Sequence, residues 1–437
     1  MVSRSRRSFL RASAATAAVA SAGCLGRSSP AEDAAQRRID QRTTPPAGTW
    51  PTGDYGARNT RDNPEASPPR STPTGEWSVP LPGVVSSVVV GPEFVYASSG
   101  EATVAVAPDG TEQWRVEFGG GLAFVAGRLY VSADTLVALD ADSGEDVWRG
   151  PEGMEPQLVH ESSGTVYVTE REQLRGLHAD SGAERWRIST ARYPRLVAGE
   201  GHVVVLTGDR VRFFEPGEVE TGPFREPAPR VVETLEPGWY PEIVSVTLTD
   251  GAFYLGQFGD SVADLDATAR QFHRMTDDER WVTPYDWSGV SALAVDDERV
   301  YGVSYHATLD PLESSVVALD RETGTEQWHD DGELLGTPTV GGDVVVAGGA
   351  HPGSPSVCVS KGDEEESAGT PAEGTATEET CSEGEPTAES GVLRAFDAAS
   401  GERLWTVEPG ASHGSYPLAL VGDRVYYGDA AGVHALG

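Results

Sequence analysis

The stretch Ala138-Leu139-Asp140-Ala141-Asp142-Ser143-Gly144-Glu145-Asp146-Val147-Trp148 decides how this chain is read. Apolar residues lead into an Asp, a Ser-Gly pair follows, and polar residues run on to an indole. That pattern is a strand, a tight turn and a returning strand: Gly144 can take a positive φ, and the Asp140 carboxylate can accept amide hydrogens inside the turn. Trp148 then presents a flat apolar surface that a single sheet cannot bury by itself. A second sheet has to lie against it.

The same pattern recurs in Gly176 to Trp186, Ala318 to Trp328 and Ala395 to Trp405, with a shortened copy from Ala105 to Trp114. The conserved positions within these copies are Gly144, Gly182, Gly324 and Gly401, and the indoles Trp114, Trp148, Trp186, Trp328 and Trp405, preceded by Trp77. Steps from Trp77 to Trp114, to Trp148 and to Trp186 are 37, 34 and 38 residues, the length of a four-stranded antiparallel unit. Units that each need a neighbour to cover their tryptophan stack side by side and close into a ring. The fold expected is therefore an all-β propeller. Counting the apolar runs taken to open each blade, at Val95, Leu129, Val166, Val203, Phe253, Val300, Val344 and Val425, predicts eight blades. Two of them, around Phe213-Phe214-Glu215-Pro216-Gly217 and Ala263-Asp264-Leu265-Asp266, lack the Gly-Trp ending, and the count is seven if one is a long loop. The chain stops after Gly432-Val433-His434-Ala435-Leu436 without a final Trp. The segment Glu76-Trp77-Ser78-Val79 is expected to supply the missing outer strand, so that the two termini share a blade and leave no ring edge unpaired.

The charge is extreme, with a formal net value of −35 over 437 residues and a single lysine, Lys361. Such a field repels phosphate backbones and excludes nucleic acid as a partner. The acids are spread over every repeat, which reads as a solvated surface suited to molar salt, and points to an extreme halophile of archaeal type. In molar salt the Debye length falls to about 3 Å and self-repulsion is screened.

The first residues read as targeting, not fold. Ser5-Arg6-Arg7-Ser8-Phe9-Leu10-Arg11 is similar to a twin-arginine export signal, and Ser21-Ala22-Gly23-Cys24 to a lipoprotein lipobox. The intervening Ala12 to Ala22 is too short to span a bilayer as a helix. Residues 1–24 are thus expected to be a signal with lipid attachment at Cys24, residues 25–49 a flexible tether, and residues 50–437 the propeller, held as a monomer on the outer face of the cytoplasmic membrane. Within it, 351–390 is rich in Glu, Gly, Thr and Ser and reads as a disordered acidic insertion. Its Cys358 and Cys381, outside the cell, either stay free or form a disulfide.

Through the Asp, Gly and Trp positions quoted above, the repeats resemble those of the PQQ-like β-propeller family. Trp50-Pro51-Thr52-Gly53-Asp54-Tyr55-Gly56-Ala57-Arg58-Asn59-Thr60 also resembles the lead-in of its exported prokaryotic members. The family holds quinoprotein dehydrogenases and non-enzymatic scaffolds, among them the bacterial outer-membrane assembly lipoprotein. The resemblance implies the scaffold of the fold and not a quinone site. Many family dehydrogenases hold pyrroloquinoline quinone beneath a disulfide of adjacent cysteines, with calcium; this chain has no adjacent cysteines. No catalytic, cofactor or metal residue is therefore assigned, and no cofactor is expected.

Other chemistry has little foothold. Asp140, Asp142 and Asp146 alternate as in a calcium loop, but the parallel copies read better as the repeat turn. No metalloprotease histidine pair, nucleophile elbow or phosphate loop occurs. The aromatic loops Trp239-Tyr240-Pro241 and Trp281-Val282-Thr283-Pro284-Tyr285-Asp286-Trp287 either plug blades that lack their own indole or form a binding rim of Trp239, Tyr240, Tyr285 and Trp287. The leading expectation is a non-enzymatic, membrane-anchored scaffold for protein partners. A quinone-dependent alcohol or sugar dehydrogenase and a carbohydrate-binding propeller are the alternatives.

Overall fold

The apolar runs pair into antiparallel meanders, seen in a computed structural model that describes residues 45–152, 154, 156, 158–162, 164–190, 194–199, 202–207, 210–222, 225–235, 242–249, 252–258, 271–275, 280–284, 289–290, 293–305, 313–333, 336–350, 391–410 and 415–437. Among them every regular element is a strand. The first meander is Ser87–Val90, Val95–Ser98, Thr103–Val106 and Glu112–Val116. Gly121–Val125 to Asp146–Arg149, Leu158–Ser162 to Glu184–Ser189, and Arg195–Gly199 to Arg225–Leu235 follow as further four-stranded sheets.

Two sheets depart from four strands. The meander from Glu242–Thr249 to Arg280–Pro284 is joined to the one from Ala294–Val295 to Glu326–Glu333 through Gly289–Val290, giving a nine-stranded sheet. The meander from Thr339–Gly341 to Arg403–Val407 takes on Asp62–Asn63 as a parallel fifth strand. The last sheet is Leu418–Val421, Arg424–Gly428, Gly432–Leu436 and, from the other end of the chain, Gly75–Pro80. Trp77 pairs with Ala435 and Val79 with Val433, the register expected from the missing outer strand.

Val95, Leu129, Val166, Val203, Phe253, Val300, Val344 and Val425 lie on second strands and do not open their meanders, correcting the expectation from sequence. A second strand is covered on both faces by neighbouring sheets, so it reads as an unbroken apolar run; Val95–Ser98 and Thr165–Thr169 are buried at every position. Some first strands are much shorter than the second, down to the two residues of Ala294–Val295 beside the seven of Arg299–Tyr305, and give a weaker signal. Each first strand contacts the first strand of the next meander, and Leu418–Val421 contacts Ser87–Val90 in turn. These strands line an axis. The core is a series of layers between sheets, such as Tyr130, Ala138, Trp148, Val166, Leu177 and Ala179.

Candidate functional site

The repeat residues meet across sheets. Asp140 Oδ1 accepts from the Ser143 amide at 3.0 Å and its hydroxyl at 2.9 Å, and the Gly144 amide closes the turn on the Asp140 carbonyl at 2.8 Å. Asp320 with Thr323, and Asp397 with Ser400, repeat this geometry. These bonds hold the Asp140 and Asp320 carboxyls below their usual range. The turn explains the alternating acids around Asp140, and no group of three His, Cys, Asp or Glu able to hold a metal occurs among the described residues.

Gly144, Gly182, Gly324 and Gly401 all have φ near +70°. The tryptophan of the preceding sheet lies flat on the turn: a Cβ on Gly144 would sit 2.7 Å from Trp114, and one on Gly401 2.7 Å from Trp328. Each indole also donates into the next turn. Trp114 Nε1 reaches Ala141 O at 3.0 Å, Trp148 reaches Ala179 O at 2.8 Å, and Trp328 reaches Ala398 O at 3.0 Å. Trp405 has no following turn in its own direction of the chain, and Pro69 O, before the Gly75–Pro80 strand, accepts its proton at 2.7 Å. Trp186 precedes the degenerate repeat and is covered instead by Phe214 and Val219 of the long hairpin Arg210–Gly222 and Arg225–Leu235.

A tyrosine on the second strand completes five of the six sockets, all but that of Trp405, whose neighbouring second strand Val344–Ala350 carries none, and the indole spacing did not reveal it. The rings of Tyr96, Tyr130, Tyr167, Tyr301 and Tyr426 lie 5.7 to 5.9 Å from Trp114, Trp148, Trp186, Trp328 and Trp77. Burial raises the phenol pKa of Tyr96, Tyr130, Tyr301 and Tyr426. The recurring Val-Tyr and Leu-Tyr pairs, as in Arg128-Leu129-Tyr130 and Arg299-Val300-Tyr301, were the available signal.

The lead-in sequence proves to be a strap across the axis. Trp50 exchanges two backbone bonds with Val90, both 2.7 Å. Pro51 O then accepts from Phe124, Ala57 O from Ala198, Arg58 O from Leu248, Thr60 O from Val295 and Arg61 O from Val340, at 2.7 to 2.9 Å. Asn63 Nδ2 donates to Leu420 O at 2.8 Å, and Ser67 N to Gly422 O at 2.6 Å. The strap thus meets first strands in chain order, and Ala57 also packs with Tyr167 and Trp186. Tyr55, Asn59 and Arg61 hold φ near +50°, strain that the surrounding bonds must sustain. Inside the strap, Arg61 pairs with Asp54 and Tyr55 OH donates to Asn63 Oδ1 at 3.1 Å.

Most strap bonds fall on the C-terminal halves of the first strands. Successive connections of a meander alternate between its two ends, so this is also the end of the repeat turns. Arg225–Leu235, Ala252–Phe258, Arg299–Tyr305 and Val344–Ala350 run towards the opposite end. Trp239, Tyr240, Tyr285, Trp287, Cys24, Cys358, Cys381 and the segment around Ala263 lie outside the described residues.

Above the strap is a cavity of about 170 Å³ lined by Thr52, Asp54, Ser87, Gly121, Ser132 and His160, among others. Pyrroloquinoline quinone is a flat tricarboxylate and needs a planar face and cationic or amide donors. The lining offers one ring, the imidazole of His160, and no Phe, Tyr, Trp, Arg or Lys; its one side-chain amide, Asn59, donates to Leu196 O at 3.1 Å, and the Asp54 carboxylate would repel a tricarboxylate. The cavity does not fit that group.

Solved structures with this architecture are distant in sequence. BamB from Moraxella catarrhalis superposes with a TM-score of 0.57 at 17% identity, covering 84% of this chain and 97% of that one. Quinohemoprotein alcohol dehydrogenase from Comamonas testosteroni gives 0.59 at 14% identity, covering 92% and 83%. A europium-containing methanol dehydrogenase gives 0.52 at 11%, covering 87% of each. These likenesses concern the fold. No curated protein matches the sequence. A family model does match, over residues 98–221 and 245–386, and on that ground the chain belongs to the PQQ-like β-propeller family described as outer membrane protein assembly factor BamB.

Proposed function

We propose that this protein is a non-enzymatic interaction scaffold, exported and lipid-anchored at Cys24, whose propeller is a closed ring of eight blades. The unbroken succession of first-strand contacts and the pairing of Gly75–Pro80 with Gly432–Leu436 support the ring and its closure. One observation carries the functional reading. The strap lies across the first strands at the end of the tight turns, so the opposite end of the sheets is the surface left for a partner. Membership of a family named for an assembly factor supports the same reading, and so does a cavity lining unsuited to the quinone.

The test compares binding and turnover. Full-length protein in molar salt is titrated with pyrroloquinoline quinone and Ca²⁺, following absorbance and dye-linked alcohol oxidation. The scaffold reading expects neither a bound-quinone spectrum nor turnover, and expects crosslinking on native membranes to map partner contacts to the end opposite the strap. Turnover, or contacts confined to the strap end, would overturn it. Glycan binding lost in Trp287→Ala would instead establish a carbohydrate-binding propeller. Mass spectrometry of the mature N-terminus checks the anchor: a start beyond Cys24 without lipid removes it.

A further inference from the structure

We propose that the cavity above the strap is a binding site for a small neutral polyol, between glycerol and a single sugar ring in size, and that its occupant fastens the strap. The first ground is its place in the fold. Ser87, Gly121, Leu122, His160 and Leu196 wall it from the first strands of four successive sheets, and Asp54 and Asn59 floor it from the strap. An occupant therefore touches strap and wall together. Glycines make the room: Gly121 in the wall, and Gly53 and Gly56 in the floor, bring no side chain. The volume of about 170 Å³ is several times the roughly 30 Å³ share of one water, and less than the about 300 Å³ at which drug-sized pockets begin. Around this floor Tyr55 and Asn59 both hold φ at +56°, strain of the kind kept at ligand clamps.

The second ground is hydrogen-bonding capacity left over at the lining. Ser87 is only 7% exposed; its Oγ accepts from the Leu122 amide at 3.1 Å, and its proton meets no acceptor among the described residues. Ser132 lines the same space, and its hydroxyl makes no bond among those residues. Asn59 spends its Nδ2 on Leu196 O at 3.1 Å and keeps Oδ1 as an acceptor. It is one of two asparagines in 437 residues, a neutral amide in a chain that uses acids nearly everywhere. Spare donors and a spare acceptor side by side match alcohols, each of which both gives and accepts. Ala57, Leu122 and Leu196 offer apolar contact to the carbon skeleton. Charge rules out the other classes. Asp54 is the lone acid of the described lining and is paired with Arg61, and no Arg or Lys lines the cavity, so neither a bare cation nor an anion finds a counter-charge.

The amides of Phe124 and Ala198 donate to Pro51 O and Ala57 O of the strap and report its docking directly. Hydrogen exchange of the full chain in molar salt is followed while glycerol, glucose or myo-inositol is added. Exchange at both amides is expected to slow saturably with at least one of the three, about tenfold at about ten times its dissociation constant. Sucrose is too large for the cavity and acts by exclusion from the surface, so it is expected to give no saturable change. Ser87→Ala removes the buried donor and is expected to weaken the binding about tenfold. If that variant does not fold, Ser132→Leu takes its place, filling the space from a half-buried wall position, and is expected to abolish binding. A cavity that holds water and gives no saturable protection with any of the three polyols overturns the proposal. So does equal protection by sucrose, or binding unchanged in the variant.

Discussion

The indole Nε1 of Trp148 donates to the carbonyl oxygen of Ala179, 2.8 Å away in the next sheet. The tryptophan therefore belongs to the fold of its neighbour as much as to its own. Trp148→Ala is expected to lose about 3–5 kcal/mol, the cost of emptying a large buried aromatic site. Trp148→Phe keeps a ring but removes the donor and part of the area, and is expected to lose about 2 kcal/mol. Denaturant titration in molar salt gives both. A negligible loss in Trp148→Phe would mean that the hydrogen bond between sheets contributes nothing, and equal losses would mean the same of the packing that Phe keeps.

Gly182 faces the same indole, with φ at +68° and no room for a Cβ against Trp148. Gly127 has φ at +80° but nothing within 4 Å of where its Cβ would be. The pair separates backbone strain from crowding. Gly127→Ala is expected to cost about 1 kcal/mol from the left-handed conformation alone. Gly182→Ala is expected to cost about 2–4 kcal/mol, because the indole must also be displaced. Thermal melts of the two variants check the difference, and equal costs would remove the close packing of indole on turn from the account.

The turns and indoles were legible because each repeat encodes them locally: Asp140, Gly144 and Trp148 are spaced by the geometry of one hairpin. The outer strand supplied by Glu76 to Val79 was legible too, since Trp77 stands one repeat length before Trp114 without a strand run of its own ahead of it. The opening strands were misplaced by one because some of them, such as Ala294–Val295 and Thr339–Gly341, are only two or three residues long beside second strands of seven. The strap was recognisable in Trp50 to Thr60 as a motif but not as a contact surface. Its partners, from Val90 to Leu420, are scattered over the whole chain and share no pattern with it.

Asn63 is 3% exposed and makes its bonds as both donor and acceptor. Asn63→Asp deletes the donor to Leu420 O and buries a charge beside Asp62. At pH 8 it is expected to be destabilised by about 3 kcal/mol or more, and by more than Asn63→Ala. Near pH 4 a protonated carboxyl donates again and the gap between the two variants is expected to close. Stability curves at both pH values test this; a gap independent of pH would show that charge is not the cause.

Asp397 is held down to about 2, chiefly by the hydrogen bond from Arg70 and then by those from Ser400. Arg70 comes from the N-terminal segment and also pairs with Asp343 at 2.6 Å, so the contact ties the chain start to a late repeat. A carboxyl lowered by folding contributes stability above its unfolded value near 3.8, and loses it as pH falls towards 2. Asp397→Asn is expected to have a lower melting temperature than wild type at pH 6. Its melting temperature should also fall less steeply than that of wild type between about pH 4 and 2. Parallel acid profiles would assign the loss to other carboxylates.

Salt is expected to decide whether the propeller holds together at all. A net charge of −35 on one chain repels itself, and the exposed ion pairs, such as Arg149 with Asp146, return about 1 kcal/mol or less apiece. In molar salt the Debye length is about 3 Å and the repulsion acts only between touching groups; in dilute buffer it reaches about 30 Å and spans neighbouring sheets. The layers that resist it are thin, as in the one made of Tyr130, Trp148, Met154 and a few aliphatic side chains. Dialysis from molar salt to dilute buffer is expected to abolish the near-ultraviolet circular dichroism of the stacked tryptophans, and restoring salt is expected to recover it. A spectrum unchanged by dialysis would show that the sheets pack strongly enough to tolerate the unscreened charge.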